Sequence, residues 1–136
     1  MKRVFLNLTA HELTKEQIEA AKRQLEIDEF LDAKDVIPKH LLWRLRQCPA
    51  DEKEVYKLAT KINYILDRYA YDYGIDLYVH LPAGSPAFMW CFANVFSHKF
   101  LKAVFSHTRR ITEEVQQPDG SVVKKSVFRF ERFIVF

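Results

Sequence analysis

Four short apolar runs, Val4–Leu8, Ile27–Leu31, Ile75–Leu81 and Leu101–Phe105, are separated by stretches whose apolar residues recur every three or four positions. A parallel strand pair needs a crossover long enough to hold a helix, so strands alternating with helices predict a mainly parallel sheet flanked by helices. After Phe105 the pattern changes to alternation, from Ile111 to Gln117 and again from Val122 to Phe136, around Pro118-Asp119-Gly120-Ser121. Asp-Gly between alternating runs is a strong hairpin signal. The expected fold is therefore α/β, with a C-terminal antiparallel β-hairpin at or beyond one sheet edge.

The helix boundaries are written in local chemistry. Thr14 followed by Gln17 makes a capping box for a helix with Ile18, Ala21 and Leu25 on one face. Pro38 suits the first turn of a helix carrying Leu41, Leu42 and Leu45, and Pro49 stops it. Asp51 with Glu54 opens the longest helix, in which Val55, Leu58, Ile62, Ile65, Tyr69 and Tyr73 recur until Gly74; the tyrosines read as packing groups. Ser85 as N-cap and Pro86 at the first position start a helix from Ala87 to Phe96 that reads as buried on several sides.

Length and composition narrow the function. With 136 residues, 49% of them hydrophobic, residues 1–136 make a single domain with one core, and no repeat or linker is evident. A net charge of +3 does not argue for wrapping a long nucleic acid but suits a small anionic ligand. Cys48 and Cys91 belong to no ligand pattern and read as buried thiols, and His40, His80, His98 and His107 share no metal-ligand spacing, so neither metal nor cofactor is expected. No apolar run approaches the ~20 residues of a membrane span. The start of the chain lacks a signal h-region, so a cytoplasmic protein is the expectation.

In an open α/β sheet, ligands bind beyond the carboxyl ends of the strands, which directs attention to three polar segments. They hold Thr9 and His11; Gly84 and Ser85; and, read as a loop after the fourth strand, Ser106, His107, Thr108, Arg109 and Arg110. Gly84 and Ser85 open a helix whose free N–H groups favour an anion, although a plain N-cap has the same sequence. His11 can donate a proton, orient a hydroxyl or bond the backbone. A guanidinium presents a planar fork to phosphate, but on a strand only one of Arg109 and Arg110 can face a given site. Lys124, Lys125, Arg129 and Arg132 read as the solvated face of the hairpin. The dinucleotide fingerprint GxGxxG, the phosphate loop GxxxxGK[ST] and the elbow GxSxG are all absent.

The stretch Phe5–Gln17, the Gly84-Ser85 turn into an apolar helix, the run Phe105-Ser106-His107-Thr108-Arg109-Arg110 and the Pro118–Ser121 hairpin with Val127–Phe130 together resemble a known family. It is that of the small CRISPR-associated proteins of type III systems with a CARF-like Rossmann domain, which include stand-alone ring nucleases. The resemblance covers both ends and the last half of the chain, not the stretch from Leu31 to Gly74. It implies a homodimer that binds a cyclic oligoadenylate, cyclic tetra-adenylate before the hexamer, and opens the ring without a metal. The ribose 2′-hydroxyl attacks the adjacent phosphorus, leaving a 2′,3′-cyclic phosphate and switching off antiviral signalling.

On that resemblance His11 is the positioning or acid/base group, and Thr108 and Arg110 contact the scissile phosphate or ribose. Thr9, Gly84, Ser85, Ser106, His107 and Arg109 complete the ligand site, while Thr14 and Gln17 match only as helix caps. His107 replaces an expected small or hydroxyl residue and Pro86 stiffens the turn. Cutting the ring, sequestering it as a sensor or sponge, and a structural role in a larger complex are thus three distinct readings. His11→Ala or Arg110→Ala is expected to lower turnover or binding while leaving the fold intact.

Overall fold

A computed structural model describes all residues, 1–136. The strands are β1 (Lys2–Asn7), β2 (Glu29–Asp32), β3 (Ile75–His80), β4 (Leu101–Gln116) and β5 (Val122–Val135). The helices are α1 (Lys15–Leu25), α2 (Lys39–Gln47), α3 (Glu52–Tyr73) and α4 (Pro86–Val95), with a single 3-10 turn at Ala33–Asp35. One five-stranded sheet runs in the order β2-β1-β3-β4-β5. The first four strands are parallel and β5 returns antiparallel along β4.

Each central strand sends alternate side chains to opposite faces, and both faces are covered, which is why these strands read as unbroken apolar runs. From β3, Ile75, Leu77 and Val79 enter the larger core with α2, α3 and α4. Tyr78 joins the smaller core on the other face, where α1 lays Ala20, Ala21 and Leu25 over Phe5, Val104 and Phe133.

Local signals set most ends. Thr14 Oγ1 accepts from the Gln17 N–H at 3.1 Å and Gln17 Oε1 accepts from the Thr14 N–H at 2.9 Å, closing the capping box of α1. Asp51 caps α3, and Gly74 ends it in the left-handed region at φ 62°. Pro38 lies at the N-cap position of α2 rather than inside its first turn.

Several expectations change in the folded chain. Ser106–Arg110 is not a loop: β4 stays extended from Leu101 to Gln116 because β5 pairs with it as far as Gln116↔Val122. The polar composition that suggests a loop reflects solvent on both faces of a two-stranded ribbon, since β3 pairs with β4 only as far as Val104. A β-bulge between His107 and Thr108 marks where the ribbon leaves the sheet, and Gly120 at φ 89° closes its far turn. Helix α4 is buried on one side only, through Phe88 and Phe92, with Trp90 68% exposed. Tyr73 is exposed rather than packed into the core, and Cys48 and Cys91 are half-buried free thiols.

Candidate functional site

Strand β1 hands the chain to β2 on one side while β3 lies on its other side, so the segments leaving β1 and β3 diverge to opposite faces and open a crevice. The crevice is a 470 Å³ cleft lined by Thr9, His11, Arg46, Gly84, Ser85 and Ser106, among others. A second hollow, reaching towards Asp32 at the end of β2, shares the Thr9–Glu12 loop and Arg46 with it.

Behind the cleft lies a hydrogen-bonded row across three neighbouring strands. Asn7 ends β1, His80 ends β3 in register with it, and Ser106 lies on β4. His80 Nδ1 is 3.1 Å from Asn7 Oδ1, and His80 Nε2 is 2.7 Å from Ser106 Oγ. Gln17 of α1 adds Nε2 at 3.3 Å from Ser106 Oγ.

The partners fix every proton in this row. Asn7 Nδ2 donates to the His11 carbonyl at 2.7 Å, so Oδ1 faces the imidazole and Nδ1 must carry the hydrogen. A neutral ring then has its lone pair on Nε2, and the Ser106 hydroxyl donates to it. The capping box turns Gln17 Oε1 towards Thr14, which leaves the Gln17 amide to donate to Ser106. Ser106 Oγ, with its single proton committed to His80, keeps one lone pair unused.

Burial keeps that imidazole neutral. The His80 ring packs at 5.5 Å from both Phe5 and Phe133, and desolvation lowers its pKa from 6.5 to about 4. The inner end of the cleft therefore offers a hydrogen-bond acceptor and no cation.

The outer parts of the cleft are different. Arg46, in the last turn of α2, donates to the Leu8 and Thr9 carbonyls, each at 2.8 Å, and clamps the loop after β1 at the cleft. Desolvation lowers its pKa, but a guanidinium stays charged at neutral pH. Asn7 and Thr9 hold the His11 carbonyl while its imidazole, exposed, makes no hydrogen bond to the protein. Ser85 stands at the N-cap of α4 without making a side-chain capping bond, so its hydroxyl is not committed to the helix. The first-turn N–H groups of α4 and the absence of a side chain at Gly84 make this the anion-friendly corner.

Of the residues singled out in the sequence, Thr9, His11, Gly84, Ser85 and Ser106 come together at the cleft. Thr108 lies beside α1 in a shallow depression with Gln17, Phe128 and Phe130. His107, Arg109 and Arg110 are exposed on the ribbon, and Arg110 donates to Ser126 Oγ at 3.1 Å. The cleft's arginine is Arg46; neither it nor Asn7 stands out in the sequence, and His80 stands out only as a histidine without metal-ligand spacing. A polar residue closing an apolar strand was the available signal for Asn7 and His80. For Arg46, inside an ordinary amphipathic helix, there was none.

The helices include none long and apolar enough to cross a membrane, and no three His, Cys, Asp or Glu side chains are grouped to hold a metal ion. The family model described as "Uncharacterized protein MJ1673 family" matches residues 3–134. A relative from Methanocaldococcus jannaschii, "Uncharacterized protein MJ1673", is 29% identical over 133 residues, covering 98% of this chain and 95% of the relative. No solved structure matches the chain.

Proposed function

The chain belongs to the MJ1673 family, and we propose that its cleft binds a cyclic oligoadenylate, cyclic tetra-adenylate first, and opens the ring without a metal. The observation that carries this reading is the division of one cleft into an anion-friendly corner and an acceptor end. Gly84, Ser85 and the start of α4 suit a phosphate, Arg46 supplies positive charge nearby, and Ser106 presents an unused lone pair where a neighbouring ribose would lie.

The chemistry asks little of the protein. It must hold the 2′-oxygen in line with the scissile P–O5′ bond, stabilise charge on the phosphate and assist proton transfer. The 2′-oxygen bonds to phosphorus, the 5′-oxygen leaves as a hydroxyl, and the proton lost at O2′ is balanced by the one gained at O5′. His11, exposed at the cleft with a free ring, is the group suited to deliver that proton. A homodimer fits a symmetric ring, because each subunit offers equivalent phosphates the same cleft.

One observation favours a second reading, a protein that binds the ring without cutting it. Thr108 and Arg110 lie out on the ribbon, so of the three residues expected to carry the catalysis only His11 lines the cleft. Incubation with cyclic tetra-adenylate or cyclic hexa-adenylate in EDTA, followed by chromatography and mass, separates the two. Linear products ending in 2′,3′-cyclic phosphate support the nuclease. Intact rings with ligand-dependent thermal stabilisation support the binding protein. Intact rings with no stabilisation overturn both.

A further inference from the structure

We infer that Ser106 is the acceptor for a ribose 2′-hydroxyl, and that His80 and Asn7 are positioning residues that hold it in that state. The inference rests on the cyclic oligoadenylate reading and names the contact by which that ligand's ribose is recognised.

The protons around Ser106 decide what it can bind. A serine hydroxyl free to rotate can donate or accept, and so discriminates poorly between a ligand donor and a ligand acceptor. Ser106 has lost that freedom. Its proton goes to His80 Nε2 at 2.7 Å, because the only proton on the imidazole is held at Nδ1 by Asn7 Oδ1. One lone pair is used by Gln17, whose orientation is fixed in turn by the Thr14 N–H. What remains on Ser106, a residue lining the cleft, is a single lone pair. A phosphate oxygen placed there would meet an acceptor with nothing to donate, whereas a hydroxyl would complete the oxygen's shell.

The choice of hydroxyl follows from the layout of the cleft. Its phosphate corner is at Gly84 and Ser85, and in a nucleotide chain a ribose adjoins each phosphate, while the base projects farther away. A ring without its 2′-hydroxyls should therefore lose this contact and keep the rest.

Holding, rather than taking, the proton is the role the surroundings permit. A desolvated imidazole between two phenylalanine rings is a poor home for a positive charge, and its depressed pKa agrees. His80 thus acts through Ser106, setting the direction of its hydroxyl.

The test is a binding comparison of cyclic tetra-adenylate with its all-2′-deoxy analogue in the full-length protein, for the wild type and for Ser106→Ala, Ser106→Thr and His80→Phe. Melting curves taken alongside confirm that each variant is folded. The wild type is expected to prefer the ribose ring by about tenfold, the scale of one well-placed hydrogen bond. Ser106→Ala should bind both rings equally, Ser106→Thr should restore the preference, and His80→Phe, which frees the serine to rotate, should reduce it. An unchanged preference in Ser106→Ala overturns the inference while leaving the proposed ligand standing. Failure of the wild type to bind either ring overturns the proposed ligand and the inference with it.

Discussion

Nε2 of His80 lies 2.7 Å from Oγ of Ser106, although 26 residues separate them along the chain. The contact exists because β3 and β4 are parallel neighbours and His80 closes β3 on the same face from which Ser106 projects. Neutral histidine is a condition of this arrangement, since a protonated ring would donate from Nε2 and drive the Ser106 proton elsewhere.

Acid should therefore destabilise the protein through His80. Its folded pKa of about 4 lies below the ordinary 6.5, so its contribution is fully present above pH 6.5 and is lost as pH falls towards 4. The loss is about 3 kcal/mol over that window. Burial is the cause of the shift: Phe5 and Phe133 flank the ring and Asn7 and Ser106 meet its nitrogens, while the charged Glu12 and Arg46 line the same cleft. Urea unfolding of wild type and His80→Phe between pH 7 and 4 measures the effect as the difference between their slopes. Parallel slopes would contradict it.

The exposed side of β5 is closed by α1. Gln24 donates Nε2 to the Phe133 carbonyl at 2.7 Å and accepts the Phe133 N–H at 3.0 Å, doing for an edge strand what another strand would do. Gln24→Ala strands the Phe133 N–H and leaves its carbonyl only the longer bond from Arg132 Nε at 3.3 Å, and is expected to cost about 1–3 kcal/mol. Phe133→Ala, which empties the centre of the α1-side core, should cost about 3–5 kcal/mol. Chemical denaturation of the two variants should preserve that order.

Gly74 ends α3 at φ 62°, and a Cβ there would meet no neighbouring atom. The penalty for a side chain is thus conformational alone. Gly74→Ala should lose about 1–2 kcal/mol, and Gly74→Asn should lose less because asparagine tolerates the left-handed region. Equal melting temperatures for the two variants would show that crowding or relaxation, not φ, controls the site.

On the proposed function, Arg46 and Arg110 should contrast in ligand binding. Arg46 lines the cleft and braces the loop after β1, whereas Arg110 is tied to Ser126 on the ribbon. Arg46→Ala should weaken cyclic tetra-adenylate binding by more than tenfold, a loss on the scale of a charge-assisted contact, and Arg110→Ala by much less. Titration calorimetry on both variants would read this, and the reverse order would move the proposed phosphate site onto the ribbon.

The local parts of the fold were legible because their causes are local. The Thr14–Gln17 capping box, the Asp51 cap, the Gly74 stop and the Asp119-Gly120 turn each depend on side chains and dihedrals within a few residues. Alternation of short apolar runs with helical spacing was enough for a parallel sheet with an antiparallel edge, since crossover length dictates it. That Thr9, His11, Gly84 and Ser85 line one cleft was legible for the same reason: the segments beyond the strand ends of an open sheet gather around its crevice.

What tertiary structure alone decided was pairing over long separations. Whether Ser106–Arg110 is loop or strand depends on β5, whose hydrogen bonds hold it extended. Asn7 and His80, 73 residues apart, become neighbours only through strand register. Arg46 becomes a cleft residue only once α2 is laid beside the end of β1. A side chain's type is set by the sequence, but its burial, its tautomer and its partners are properties of the packed neighbours, and those come from every part of the chain.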